Sequence, residues 1–152
     1  MNFPHSRRGF TLIEILIVVV IIALLASTVL IGLGSVSKKG RDARRISDLK
    51  SVQSGLELYF TKNGCYPTSS GCAGTGAMGW TALQAALQGA GIGVNTVPND
   101  PRSGQNYLYG SNGTSYQLGA TLEDDATPAL NSSDHTNNLI DCSAHVTYCV
   151  TP

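Results

Sequence analysis

From Phe10 to Ser37 the only charged side chain is Glu14, set near the start of a run dominated by Ile, Leu and Val. About 20 apolar residues suffice to cross a bilayer, so the pattern predicts a transmembrane segment over roughly 10–34. Gly32 and Gly34 soften its end, since each is a weak helix former. Helical periodicity then resumes. Ile46, Leu49, Val52, Leu56 and Tyr59 recur at spacings of three and four, with Ala43 on the same stripe. Asp42 with Arg45, and Arg44 with Asp48, are spaced to meet on the helix surface. Asn63-Gly64 is a helix stop. One helix over 10–62 is far too long for a compact domain. Its first half belongs in lipid or among other helices, and its second half lays an apolar stripe on a head formed by residues 63–152. Gly55, close to that stripe, either leaves room for the close approach of a sheet or is simply tolerated there.

The head opens with Cys65-Tyr66-Pro67 and a loop rich in Ser, Gly and Thr. Trp80 to Gln88 reads as a short helix burying Leu83, Ala86 and Leu87, with Thr81 as its cap. Gly89 to Asn95 is loop, and Val97-Pro98-Asn99-Asp100-Pro101 is a rigid turn. A first strand is expected at Gln105–Tyr109, a hairpin turn at Gly110-Ser111-Asn112-Gly113, and a second strand at Ser115–Leu122. In the second strand Tyr116, Leu118, Ala120 and Leu122 alternate with Gln117, Gly119 and Thr121, giving one buried and one wet face. His145–Val150 reads as a third strand. The fold class is α+β, a long N-terminal helix packed on a small antiparallel sheet.

Charge divides the same way. The formal net charge of the 152 residues is zero, and loss of Arg7 and Arg8 would leave about −2. The stretch 38–62 carries Lys38, Lys39, Arg41, Arg44, Arg45, Lys50 and Lys62 against Asp42, Asp48 and Glu57, whereas 63–152 carries only Arg102 against Asp100, Glu123, Asp124, Asp125, Asp134 and Asp141. A basic stem thus bears an acidic head. Either the two are solvated faces that never meet, or heads pack on the stems of neighbouring copies. The basic residues flanking the apolar run do not orient it, because both ends carry them. The cysteines do. Cys65, Cys72, Cys142 and Cys149 all follow the run, and their spacing suits disulfides in an oxidising compartment. Three connectivities are open. Cys65–Cys72 with Cys142–Cys149 is favoured, because both close short loops bounded by turn formers. Zinc is the weaker alternative for C-x6-C pairs.

Glu14 is the residue that demands an explanation, because an acid at the centre of a membrane helix costs about 3 kcal/mol. A removed secretory signal does not fit: the run is too long, and Ala23-Leu24-Leu25-Ala26 is a poor cleavage site. A plain anchor explains the length but not the acid. Other chemistry is sparse. Gly74-Thr75-Gly76-Ala77-Met78-Gly79 fits G-x-G-x-x-G, but no strand precedes it, so loop freedom explains it better than a nucleotide. His135 and His145 have no nucleophile motif beside them, and no catalytic residues are assigned. Asp124, Asp125, Asp134 and Asp141 with Asn131 offer oxygen ligands, yet match no fixed calcium loop, and a solvated acidic surface is expected. Asn112-Gly113-Thr114 and Asn131-Ser132-Ser133 fit the glycosylation sequon, a motif common by chance.

Arg7-Arg8-Gly9-Phe10-Thr11-Leu12-Ile13-Glu14 resembles the processing site of the type IV pilin and pseudopilin family. The resemblance implies that residues 1–9 are a leader cut after Gly9 by a prepilin peptidase. The same enzyme would N-methylate Phe10, and Glu14 would become the fifth residue of the mature chain. The apolar helix departs from many pilins in having no proline. Tyr66-Pro67 after the helix, and Asp100-Pro101 before a Tyr-rich hairpin, resemble the major pseudopilin and pilins close to it. The C-terminal cysteine pair is similar to the disulfide-bounded end loop of pilins.

By that resemblance the chain is a structural subunit, not an enzyme. It would polymerise through its N-terminal helix into a helical homopolymer, with Glu14 pairing with the Phe10 ammonium of a neighbouring copy. Two unit charges 4 Å apart gain about 4 kcal/mol at an effective dielectric of 20, before desolvation. The implied partners are the prepilin peptidase, an inner-membrane platform protein and, indirectly, an assembly ATPase. The implied location is the inner membrane for a single-pass precursor with its head outside the cytoplasm, then a cell-surface filament. No cofactor is expected, although some major pseudopilins hold calcium in the C-terminal loop. The acidic head argues against nucleic acid as its ligand. Two alternatives stand: a major pseudopilin of a type II secretion system, or a membrane-tethered binding module that never polymerises.

Overall fold

The computed structural model describes residues 9–132, 138–143 and 146–152, with the side chains of 28–33, 131 and 132 left aside. Arg7 and Arg8 of the expected leader, Asp134, His135 and His145 lie outside the described residues, as does the Asn131 side chain. The chain divides into two units, the second running from Lys38 to Pro152. Helix α1, Leu12–Asn63, contributes to both.

In the first unit every described large apolar side chain from Phe10 to Leu25 is exposed, from 84% at Leu12 to 49% at Val20. A helix apolar on all sides requires a surrounding that is itself apolar. Among the described residues no helix is long and apolar enough to cross a membrane. The described side chains of the run break off at Ser27 and resume at Gly34.

The second unit is built on a four-stranded antiparallel sheet in the order β1 (Gly76–Ala77), β2 (Leu108–Ser111), β3 (Tyr116–Thr121) and β4 (Thr147–Val150). Leu49, Val52 and Leu56 of α1 join Leu83 and Leu87 of α2 (Trp80–Gly89) and Tyr107, Tyr109, Tyr116 and Leu118 in one core. Each fully buried Leu there contributes about 1.5–3 kcal/mol. Ile46 and Tyr59 lie partly buried at its edge. Ala43, expected on the buried stripe, is exposed; Asp42 and Arg45 are buried instead. Gly55 faces Val94 and Leu87 rather than the sheet, with ordinary room for a methyl at 3.6 Å from Val94 Cγ2.

Several boundaries differ from the expected ones for identifiable reasons. The hairpin turn falls at 112–115, not 110–113. The Asn112 side-chain oxygen accepts from the amides of Thr114 and Ser115 at 3.1 and 2.7 Å, which draws the turn onto itself. Gly110 and Ser111 therefore stay in β2, opposite Gln117 and Tyr116. The strand starts at Leu108 rather than Gln105. Helix α2 has Gly79 at its N-cap, without a side-chain cap; Thr81 lies exposed inside its first turn. Trp80 and Leu83 are buried while Ala86 is only half-buried. β1 had no signature in the sequence beyond its glycine-rich setting.

The largest departure concerns β3, whose second face is covered at Gln117 and Gly119 and open only at Thr121. Gln117 is fully buried. Its Oε1 accepts from the amides of Leu139 and Ile140 at 3.1 and 3.3 Å, so this segment lies across the sheet. Gly110 and Gly119 give it room: a methyl at Gly110 would strike the Leu139 carbonyl, and one at Gly119 would sit 2.9 Å from Ile140 Cδ1. Disulfides join Cys142 to Cys149 at the end of this strap and Cys65 to Cys72 at the start of the head.

Candidate assembly site

Two features of the molecule carry charge chemistry: the start of α1, and a cluster of ions in the second unit. Gly9 and Phe10 precede α1 in exposed chain outside any regular element, with Phe10 83% exposed. Thr11 and Glu14 then form a reciprocal cap. Glu14 N donates to Thr11 Oγ1 at 3.3 Å, while Thr11 N and Thr11 Oγ1 donate to Glu14 Oε2 at 3.1 and 3.0 Å. This is the capping box, in which side chains satisfy amides that the first turn leaves without partners. A carboxylate in the first turn is further favoured by the helix dipole. The acid therefore has a partner within its own chain, at the first turn of the helix. The T-x-x-E spacing that announces such a box stands in the sequence at 11–14. Among the described residues the bonds to Glu14 end on Oε2, and a carboxylate can accept about four hydrogen bonds, which leaves room for a further cation at Oε1.

The second feature was legible only in part. The Arg45 guanidinium, 1% exposed, spans Asp100 with two bonds of 2.7 and 2.9 Å and reaches Asp42 at 2.7 Å and Glu123 at 2.9 Å. Arg41 grips both oxygens of Glu123 at 2.7 and 2.6 Å. Asp42 also accepts from the amides of Glu123 and Asp124 at 2.9–3.0 Å. Such bidentate, charge-assisted bonds are the strong ones. The Arg41 hydrogen bond, seconded by Arg45, pulls the Glu123 carboxyl down to about 2 against the opposing effect of burial. Burial pushes Asp100 up, but its bonds to Arg45 and to the Arg102 amide leave it below the ordinary carboxylate range. Asp42 and Arg45 meet, as their spacing predicts, but in the interior rather than on the helix surface. Basic stem and acidic head meet within one chain, so neither expected arrangement describes this part of the charge.

For the other candidate residues, Asp124, Asp125 and Asp141 are described. Among the described residues no group of three or more His, Cys, Asp or Glu is placed to hold a metal. The Asp141 carboxylate instead accepts from Ser143, through both its amide and its hydroxyl.

Comparison with known proteins adds the following. The prokaryotic N-terminal methylation motif matches residues 4–30. The chain is 37% identical over 70 residues to the type II secretion system core protein G of Escherichia coli strain K12, covering 46% of this chain and 48% of that protein. It is 41% identical over 65 residues to the protein of that name in Klebsiella michiganensis, covering 43% of this chain and 46% of that one. For Vibrio cholerae the figures are 33% over 69 residues, 45% and 47%. The chain thus spans about half the length of the curated relatives it matches. No solved structure matches it significantly. By its N-terminal methylation motif and by relatives that match a little under half of its length, the chain is similar to members of the type IV pilin and pseudopilin family.

Proposed function

We propose that the chain is a structural, non-catalytic subunit that polymerises into a type IV pilus-like filament through Phe10 to about Leu33. The observation that carries this reading is the start of α1. An exposed Phe10 and a Glu14 with Oε1 open stand at the head of a helix whose described large apolar side chains up to Leu25 are all exposed. Cutting after Gly9 creates an ammonium on Phe10, and N-methylation leaves its charge. In the packed helices that ammonium reaches Glu14 of a neighbouring copy, and Ile, Leu and Val side chains supply the remaining contact. The precursor sits in the inner membrane with its head outside the cytoplasm, where two disulfides are at home. The prepilin peptidase processes it. A membrane platform protein and, through it, an assembly ATPase drive polymerisation. No cofactor takes part.

Of the two settings, the periplasmic pseudopilus is favoured by the relatives, which are named type II secretion system core proteins. Loss of secretion without long surface filaments on deletion supports that setting; long filaments with intact secretion support a surface pilus. The subunit role itself is tested by Glu14→Ala in the full chain. Processing and membrane insertion are expected to persist while filaments are lost. Filaments of normal number and stability from that variant overturn the role.

A further inference from the structure

The ion cluster takes up part of the charge that separates stem from head. Arg41 and Arg45 are bound to Asp42, Asp100 and Glu123, Arg44 approaches Asp48 at 3.8 Å, and Lys62 donates to the Ala90 carbonyl. What is left over is unevenly placed. On one flank of α1 an open groove of about 710 Å³ is lined by Lys38, Arg41, Pro101, Arg102, Leu122 and Glu123. Its acid, Glu123, is already held by Arg41 and Arg45. Lys38 and Arg102 are exposed, and neither side chain pairs with a carboxylate among the described residues.

The flank of α1 that carries Lys39, Ala43 and Ile46 borders a second groove of about 280 Å³, closed by the loop from Asp124 to Pro128. Asp125 in that loop is exposed and pairs with no cation among the described residues. Lys38 with Arg41, and Lys39 with Ala43 and Ile46, are offset by one residue, which turns them about 100° apart around the helix. The exposed Asp125 thus lies on a different flank of one unit from Lys38 and Arg102, with Lys39 across the second groove from its loop. Complementary patches on different faces of one molecule make a head-to-tail contact, and a contact of that kind repeats as a ring or an open helix rather than as a two-fold dimer; a filament takes the open form.

The geometry points to a contact between copies in which the Asp124–Asp125 loop of one copy enters the Lys38 and Arg102 groove of the next. It rests on the filament reading above and adds a register to it. Exposed ion pairs contribute little each, but their complementarity selects orientation and suppresses wrong pairings.

The test uses the full chain expressed with its assembly machinery, and reads the yield of filaments sheared from cells. Arg102→Glu and Asp125→Lys are each expected to lower it about fivefold. The two changes together, which restore opposite signs across the contact, are expected to recover most of the loss. Unaltered yield from either single variant overturns the contact. So do defective single variants that the double variant does not rescue, an outcome that assigns the groove to another acidic partner. Should Arg102→Glu fail to accumulate, Arg102→Gln takes its place: about a twofold loss is expected, and an unchanged yield overturns the contact. Glu14→Ala separates the two readings. Filament loss there alongside normal yield from Arg102→Glu sinks only the register, whereas normal filaments from Glu14→Ala sink the polymer on which it rests.

Discussion

Arg45 and Asp100, 55 residues apart in sequence, meet as a planar guanidinium laid against a carboxylate, both oxygens engaged and both side chains at most 3% exposed. The pair ties α1 to the Asp-Pro turn, and Glu123 extends the tie to the end of β3. Replacing Arg45 by Met leaves three carboxylates without their shared cation. The expected cost is about 3–5 kcal/mol, the range for breaking a buried ionic contact from one side. Denaturant unfolding of the purified chain in detergent measures it. A loss under about 1 kcal/mol would show that the acids find water or other donors.

Acid should loosen the same region. The Glu123 carboxyl is held down to about 2 in the folded chain, well under its ordinary value. A lowered folded pKa contributes stability that is present above the unfolded pKa and lost as pH falls through the folded one. Stability should therefore decline from about pH 4.5 towards pH 2. Glu123→Gln, which cannot titrate, is expected to flatten that decline. Equal slopes for the two proteins in a pH series of thermal unfolding would assign the acid lability to other groups.

Gln117 is the acceptor on which the Leu139–Ile140 strap hangs. Gln117→Leu leaves two amides facing an apolar side chain, at a cost of about 1–3 kcal/mol for each group left unsatisfied. Hydrogen exchange at Leu139 and Ile140 should accelerate while exchange at Leu118 changes less. Unchanged protection at both amides would mean that the Cys142–Cys149 disulfide alone holds the strap in place.

Thr11→Val removes the hydroxyl that receives Glu14 N and donates to Glu14 Oε2, but keeps the bond from Thr11 N. The first turn should fray by about 1 kcal/mol, the usual worth of an N-cap side chain. Faster amide exchange at Glu14 in micelles is the expected readout. An unaltered rate would show that the backbone bond suffices.

The sequence disclosed those parts of the molecule that local patterns encode. The apolar run, its single acid, the helix stop at Asn63-Gly64 and the i to i+3 spacing of Asp42 and Arg45 are all visible within a few residues of each other. Burial of that pair was not visible, because it depends on Asp100 and Glu123, which arrive from the turn before β2 and the loop after β3. Alternation in β3 correctly marked Tyr116, Leu118 and Ala120 as core. It misread Gln117 and Gly119, whose cover comes from Leu139 and Ile140, 22 and 23 residues beyond Gln117. A period of two records which side of a strand a residue takes, not whether another segment later covers that side. At the candidate assembly site the acid is legible as a lone charge in an apolar run, and T-x-x-E at 11–14 is as short a signal of its local partner as any in the chain.

The reciprocal cap at Thr11 and Glu14 has a bearing on reversibility. A subunit sliding back out of a polymer would forfeit its neighbour's ammonium, yet its acid would remain hydrogen-bonded from its own first turn. Departure then exposes no bare anion to hydrocarbon, and the electrostatic gap between stored and polymerised copies narrows. On the filament reading proposed above, a fibre built on such subunits would not be held together by one irreversible salt link.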